Sequence, residues 1–260
     1  MNAGPAPARR KAPFLTAHWR YLVMLNYEVP DAVLTPLVPR GTELDRWQGR
    51  ALVSVVGFRF LHTRVMGIPI PFHRNFDEVN LRFYVRRVPA AGEVRRGVAF
   101  VRELVPRRAI ARVARAAYNE PYLALPMRSQ APNAPTDAPG ALRYAWRRRT
   151  STGRQWEHVG VSAAGRPEVP APDSEAAFIT EHYWGYTRQR DGGTVEYEVR
   201  HPPWRVWAGG QPQLRAEVAT LYGPDFERPL RAAPRSAFVA EGSPVTVWRP
   251  CRLTDASTRG

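Results

Sequence analysis

The sequence predicts a mainly β fold, either a twisted antiparallel barrel or a two-layer sheet, with two or three short helices. Segments of alternating apolar and polar residues recur at close spacing along the 260-residue chain. The 26 prolines are about twice the usual frequency, which favours strands joined by rigid loops over a helical bundle. We expect one domain over residues 14–250, between a disordered tail at 1–13 and a C-terminal tail at 251–260.

Two early segments are apolar on both faces and are therefore expected to form central strands. The first covers residues 22–27 and the second residues 51–61, where Gly57 indicates a bulge or a close backbone approach. Between them, the pattern of residues 30–37 predicts a short helix, and residues 48–49 predict a turn.

The strand predicted over residues 78–86 alternates between an apolar face and a face of hydrogen-bonding groups. The hydrogen-bonding face includes Glu78, Asn80 and Arg82. A second strand is predicted over residues 97–105. Strict alternation places Glu103 in line with Ala99 and Val101, where an apolar side chain is expected. Its carboxylate is therefore a candidate functional group.

The remaining elements follow from the same rules. A helix is predicted from Arg108 to near Asn119, and a shorter one has its N-cap at Asp173-Ser174 and runs through Ile179. Proline-rich surface loops are predicted at residues 129–140 and 166–172. Further strands are predicted over residues 141–149, 155–161, 194–201 and 214–222, with a hairpin turn at 191–193.

The charge of the chain comes almost entirely from arginine. The formal net charge is +15, and Lys11 is the only lysine. Because guanidinium does not deprotonate near neutrality, an arginine cannot act as an amine nucleophile. Lys11 lies outside the expected domain, so that domain has no lysine for covalent catalysis.

Cysteine and motif content restrict the function classes further. Cys251 is the only cysteine, so no intrachain disulfide can form, and we expect a cytoplasmic protein. No apolar run approaches the ~20 residues of a membrane helix, and we expect no membrane partner. The histidine spacings match no zinc motif, and phosphate-binding loops, dinucleotide fingerprints and serine nucleophile elbows are missing, so we expect no metal or cofactor.

A set of short motifs is spread between Phe14 and Trp248. The motifs are Leu37-Val38-Pro39, Val55-Val56-Gly57-Phe58-Arg59-Phe60, Pro71-Phe72-His73-Arg74-Asn75-Phe76, Glu78-Val79-Asn80-Leu81-Arg82, Val101-Arg102-Glu103, Tyr118-Asn119-Glu120-Pro121-Tyr122 and Glu181-His182-Tyr183-Trp184-Gly185-Tyr186. Together they resemble the bacterial YqjF-like family of unknown function. The resemblance implies the acetoacetate-decarboxylase-like superfamily, and with it a closed, cone-shaped antiparallel β-barrel around a ligand cavity.

The same resemblance implies a difference in chemistry. The decarboxylases carry two adjacent lysines just after a strand ending in Arg-Glu-Leu, and one of them forms a Schiff base with the keto acid. Here Arg102-Glu103-Leu104 stands in the matching place, followed after a short gap by Arg107-Arg108. An imine mechanism is therefore excluded, and a shared scaffold does not carry the activity with it.

The candidate site residues fall into two groups. The candidate proton carriers are Glu103, Glu78 and His73. The candidate ligand contacts are Arg74, Asn75, Asn80, Arg82, Arg107, Arg108, His182, Tyr183 and Tyr186. An inward arginine suits a bidentate grip on a carboxylate or phosphate. The alternatives are an internal ion pair that closes the barrel, a solvated outer face, and core packing for the aromatic segment 182–186.

Two functions remain open on these residues. In one, the protein binds a small organic ligand, such as a carboxylate, without turnover; in the other, it is a non-covalent acid–base enzyme acting as a decarboxylase, lyase or hydrolase. Nucleic-acid binding through the arginines is disfavoured, because they are scattered along the chain and no recognition motif is present. Exposed sheet surface makes a homodimer a further expectation.

Overall fold

A computed structural model describes residues 13–70, 73–89, 92–107, 119, 121–132, 134–150 and 153–253. Sixteen strands in these ranges form one continuous sheet. They are β1 (Pro13–Glu28), β2 (Glu43–Leu44), β3 (Leu52–Val65), β4 (Ile68–Pro69), β5 (Phe76–Arg87), β6 (Arg95–Val105), β7 (Tyr122–Ala124), β8 (Met127–Gln130), β9 (Ala141–Thr150), β10 (Gly153–Glu168), β11 (Trp184–Arg188), β12 (Thr194–Arg200), β13 (Val206–Arg215), β14 (Ser236–Ala240), β15 (Pro244–Trp248) and β16 (Cys251–Arg252).

Six short helices accompany the strands in the described ranges. The α-helices are α1 (Asp31–Leu34), α2 (Glu175–Thr180), α3 (Val218–Tyr222) and α4 (Glu227–Arg231), and the 3₁₀ helices are Thr35–Leu37 and Pro224–Phe226. The Ser174 hydroxyl caps α2 by accepting a hydrogen bond from the Ala177 N–H at 3.2 Å, as its position in the sequence predicts. None of the described helices is long and apolar enough to cross a lipid bilayer.

Seven strands close into a ring, in the order β1, β3, β5, β6, β11, β12, β15 and back to β1. Most neighbours in the ring are antiparallel, as the sequence predicts. The exception is the pair of β6 and β11, which is parallel, and β7 also pairs with β6 in parallel. The predicted mainly β, cone-like fold is confirmed, with parallel pairing as a local departure from it.

The sheet continues beyond β1 through β14, β13, β10, β9 and β8, which we call the outer sheet. The outer sheet packs against the outside of the ring and encloses the outer core. An inner core fills part of the ring itself. Because side chains alternate along a strand, Val23 and Val55 enter the outer core while Leu22 and Val56 enter the inner core.

A bulge in β6 changes the face on which Glu103 lies. Leu81 pairs with Arg102, but Arg82 pairs with Phe100, so Val101 is the extra residue. The parity of β6 therefore reverses at this point. Strict alternation predicts Glu103 on the face of Ala99, and this is wrong: Glu103 lies with Phe100 inside the ring.

Several other elements differ from the prediction. The strand predicted over residues 214–222 is wrong, because β13 ends at Arg215 and α3 follows. The apolar spacing there fits a helical turn as well as a strand, so the pattern alone is ambiguous. The loops predicted at 129–140 and 166–172 overlap the ends of β8 and β10. The helix predicted from Arg108 lies outside the described residues.

Candidate ligand cavity

The ring encloses a cavity of about 200 Å³. Every strand of the ring contributes to its wall. The wall is mainly aromatic and aliphatic, and its aromatic residues include Trp19, Phe58, Phe60, Phe76, Phe100 and Trp204. A concave, mainly apolar space with a few polar groups is the usual form of a small-molecule site.

The main polar feature of the wall is the polar row, which we define as Glu78, Asn80 and Arg82 of β5. Alternation along β5 directs all three into the ring, while Val79 and Leu81 enter the outer core. Glu78 and Asn80 are 3% and 2% exposed. Glu103, 1% exposed, lies directly opposite Asn80 on β6 because of the bulge at Val101.

Hydrogen bonds fix the orientation of Asn80. Its Nδ2 donates to Glu78 Oε1 at 3.0 Å, and the Tyr122 hydroxyl donates to Glu78 Oε2 at 3.4 Å. Because the amide nitrogen donates to the Glu78 carboxylate, the amide oxygen points away from Glu78. Asn80 Oδ1 is buried and has no hydrogen-bond partner among the described residues.

Arg82 provides the cation of the polar row. Its Nη2 donates to the backbone carbonyl of Ile179 at 3.3 Å, and its guanidinium carbon lies 5.7 Å from the centre of the Tyr84 ring. Within the described ranges, Arg82 forms no ion pair with a carboxylate, and its buried Nε lacks an acceptor. A partly buried guanidinium without a carboxylate partner is uncommon, because desolvation of a charge is costly.

His182 is hydrogen-bonded to a partly buried ion pair beside the cavity. Its Nε2 lies 3.0 Å from Asp45 Oδ2, which also accepts from Arg96 Nε at 2.7 Å. Burial would raise the pKa of Asp45, but the hydrogen bonds from His182 and Arg96 outweigh burial and lower it. Burial lowers the pKa of His182 to about 4 despite the Asp45 carboxylate. His182 is therefore neutral at pH 7.

His201 is a second neutral imidazole on the wall. Its ring stacks on Trp204 with centroids 4.0 Å apart, and its Nδ1 lies 2.9 Å from the Pro202 carbonyl oxygen. A carbonyl only accepts, so Nδ1 carries the proton. Burial lowers the pKa of His201 to about 4, and Arg82 contributes in the same direction.

The structure brings together part of the predicted site. Glu78, Asn80, Arg82, Glu103, His73 and His182 all line the cavity. Arg74, Asn75 and Arg107 are exposed and lie outside the lining, and Arg108 is not among the described residues. Asn75 Oδ1 accepts a hydrogen bond from the His62 N–H at 2.9 Å, which stabilises the local turn.

The aromatic segment divides between two environments. Tyr186 is buried in the outer core, and its hydroxyl donates to the Arg95 carbonyl at 3.3 Å. Tyr183 lies beside the cavity, with its ring centroid 4.8 Å from that of the lining residue His201. Its hydroxyl donates to Glu181. Neither tyrosine belongs to the cavity lining.

The lining also contains residues that the sequence reasoning missed, among them Tyr197, Val199 and His201. The predicted strand over 194–201 places Tyr197 and Val199 on one face, and continuing that alternation reaches His201. Parity was therefore an available signal for His201. Asp45 gave no such signal, since it precedes His182 by 137 positions.

No metal-binding arrangement is found in the part of the chain that the structure describes, where no three His, Cys, Asp or Glu side chains are grouped to hold an ion. A second, more open depression of about 600 Å³ lies beside the cavity, and Trp184 and Tyr197 border both. Two of its arginines, Arg95 and Arg200, pair with the carboxylates of Glu196 and Glu198.

Solved structures confirm the fold. Acetoacetate decarboxylase from Legionella pneumophila superposes with a TM-score of 0.61 at 13% identity, covering 98% of this chain and 94% of that chain. An acetoacetate decarboxylase-like enzyme from Sphingomonas wittichii gives 0.60 at 13% identity and 92% coverage of both chains. The enduracididine biosynthesis enzyme MppR complexed with pyruvate gives 0.62 at 15% identity, covering 94% and 92%.

Sequence comparison identifies the family. "Uncharacterized protein YqjF" from Bacillus subtilis is 27% identical over 187 residues, which are 72% of each chain. Residues 16–244 match the family DUF2071, described as "Uncharacterized conserved protein (COG2071)". The resemblance to YqjF-like proteins is thereby confirmed, and the chain belongs to the DUF2071 family, on an acetoacetate-decarboxylase-like fold.

Proposed function

We propose that the protein binds a small organic carboxylate inside the ring, with Arg82 as the group that holds the carboxylate. The observation that carries the proposal is a cation on the cavity wall with no carboxylate partner among the described residues. Arginine recognises carboxylates through two parallel N–H donors, and it does so most strongly where water is excluded.

The size and lining of the cavity favour a compact ligand with an apolar part. A volume of about 200 Å³ is below the usual range for drug-sized ligands, so the acid has few carbon atoms or one ring. The aromatic wall would bury its apolar part, which contributes about 0.8 kcal/mol per buried methylene group. One structural neighbour, MppR, is itself complexed with pyruvate, a small carboxylate.

Binding of this kind requires no covalent bond between ligand and protein. The chain has no lysine after Lys11, so no lysine side chain of residues 12–260 can form a Schiff base with a carbonyl ligand. Recognition would instead depend on Arg82, Asn80 and the neutral His182, with the aromatic wall excluding water.

Calorimetric titration with small carboxylates and their neutral amides tests the proposal. We expect the acids to bind and the amides to bind at least tenfold more weakly. Arg82→Gln should weaken acid binding at least tenfold, whereas the exposed Arg107→Gln should leave it unchanged. Equal binding of acids and amides, or equal effects of the two variants, would overturn the proposal.

A second candidate, non-covalent acid–base catalysis, is favoured by one specific observation. Glu78 and Glu103 come from neighbouring strands and line the same enclosed cavity. Paired carboxyl groups in such a setting can divide the roles of proton donor and acceptor. NMR-monitored turnover of keto acids or lactones, with Glu103→Gln compared with Glu198→Gln outside the cavity, tests it. If Glu103→Gln leaves turnover intact, Glu103 is not the proton carrier.

A further inference from the structure

The cavity wall carries buried polar atoms that have no hydrogen-bond partner among the described residues. Five of them belong to Trp19, Thr63, Asn80, Arg82 and His182, all of which line the cavity. A buried polar atom without a partner is unfavourable because it has lost its hydrogen bonds to water, so a ligand that supplies the partners would recover this energy. The chemical type of each atom then indicates which groups the ligand presents.

Two of the five atoms are donors only, and the Thr63 hydroxyl can donate or accept. Arg82 Nε and Trp19 Nε1 each carry one hydrogen that no described acceptor receives. Both suit the oxygens of the carboxylate in the proposed function. Any small carboxylic acid could accept from these two donors, so they do not indicate what else the ligand contains.

The unpartnered atom of Asn80 is the amide oxygen Oδ1, an acceptor, and the contact with Glu78 shows that it is the oxygen and not the nitrogen. The other end of the amide is 3.0 Å from Glu78 Oε1, and a carboxylate oxygen requires a donor. Nδ2 therefore faces Glu78, and the oxygen is the atom left without a partner.

His182 Nδ1 is an acceptor for the same kind of reason. Its Nε2 faces Asp45 Oδ2, and the second hydrogen bond to that oxygen, from Arg96, stabilises the ionised carboxylate. Nε2 must donate, so the neutral ring carries its proton there. Nδ1 is left with a lone pair and no described donor.

From these two acceptors we infer that the cavity selects a hydroxy acid over the corresponding keto acid. The inference rests on the proposed function and adds the second functional group of the ligand. A hydroxyl can donate to Asn80 Oδ1 or His182 Nδ1, whereas a keto oxygen or a methylene group can donate to neither. Sites that hydrogen-bond a substrate hydroxyl discriminate strongly against analogues without it.

Matched acids that differ only at the second carbon test the inference. Lactate, pyruvate and propionate form one set, and mandelate, phenylglyoxylate and phenylacetate form another with a ring for the aromatic wall. In calorimetric titrations the hydroxy acid of the better-bound set should bind at least tenfold more tightly than its keto and unsubstituted counterparts.

Variants separate the inference from the proposed function. Asn80→Leu should reduce the hydroxy-acid preference at least threefold, while Arg82→Gln weakens all three acids alike. His182→Phe is a second test of the preference, with circular dichroism as the check that the variant is folded.

The outcomes are distinguishable. Binding of all three acids with equal affinity would overturn the hydroxy-acid inference and leave the proposed carboxylate site standing. A preference that persists unchanged in both Asn80→Leu and His182→Phe would also overturn it. Absence of binding by every acid would overturn the proposed function, and the inference with it.

Discussion

Two buried polar clusters in this fold are built in opposite ways. In the outer core, Glu157 is 4% exposed, and both of its carboxylate oxygens have partners. The Trp146 indole N–H donates to Oε2, the Glu217 backbone N–H donates to Oε1 at 3.0 Å, and Arg148 lies 3.7 Å from Oε1. This cluster is complete without any further molecule.

The polar row of the cavity is also largely buried, but it is incomplete. Asn80 Oδ1 and Arg82 Nε of the row, and Nδ1 of His182 on the same wall, have no partners among the described residues, and Arg82 forms no ion pair there. Buried polar groups with a purely structural role are nearly always hydrogen-bonded. The comparison teaches that the Glu157 carboxylate is saturated within the protein, whereas Asn80 and Arg82 lack partners among the described residues, as the proposed ligand site requires.

The largest expected effect comes from breaking the complete cluster. Glu157→Ala leaves Arg148 without its buried carboxylate and the Trp146 N–H without an acceptor, so it should lower the free energy of unfolding by about 3 kcal/mol. Guanidinium denaturation measures the loss. Glu157→Gln is the control and should lose less, because its amide oxygen still accepts. A loss below about 1 kcal/mol for the alanine variant would contradict the structural role.

The buried histidines should make stability depend on pH. The pKa of His182 and that of His201 are about 4 in the folded protein, while the unfolded chain binds these protons near pH 6.5. The unfolded state therefore binds more protons between these values, and folding stability falls as the pH drops from 6.5 towards 4. Each histidine contributes at most about 1.4 kcal/mol per pH unit.

Denaturation at pH 7, 6 and 5 measures this dependence. His201→Phe keeps an aromatic ring beside Trp204 and removes one titrating group, so it should flatten the decline between pH 6.5 and 5 by up to about half. An unchanged slope would show that His201 is not buried as a neutral imidazole.

The smallest expected effect is the most informative. Arg82 has no ion pair in the described ranges, so Arg82→Met should leave the free energy of unfolding unchanged or raise it by up to about 1 kcal/mol. A gain in stability is common when a functional residue is replaced, because such residues are kept for binding and not for stability. The matched control is Arg148→Met, which removes a partner of Glu157 and should lower stability by about 1–3 kcal/mol. A larger loss for Arg82→Met than for Arg148→Met would reverse the comparison.

The sequence is sufficient to predict the polar row but not its surroundings. Alternation along β5 is regular, so the common orientation of Glu78, Asn80 and Arg82 follows from the pattern alone. The position of Glu103 could not be predicted in the same way, because a single bulged residue reverses parity and no residue type marks it. Strict alternation assigns Glu103 to the wrong face, yet its unexpected carboxylate still marks it as a candidate site residue.

Long-range contacts could not be predicted from the sequence for a different reason. The hydrogen bond between Asp45 and His182 joins residues that are 137 positions apart, and only the closure of the ring brings them together. The same holds for the outer sheet, whose packing on the ring depends on how β14 continues from β1. Local patterns predict faces of strands, whereas strand order requires the tertiary structure.

The central claim is that the polar row is completed by a ligand. A crystal structure of the protein soaked with mandelate or lactate tests it most directly. The account predicts the acid inside the ring, with its carboxylate within hydrogen-bonding distance of Arg82 and its hydroxyl at Asn80 or His182. An unliganded cavity at saturating acid, with Arg82 paired to a carboxylate of the protein itself, would contradict it.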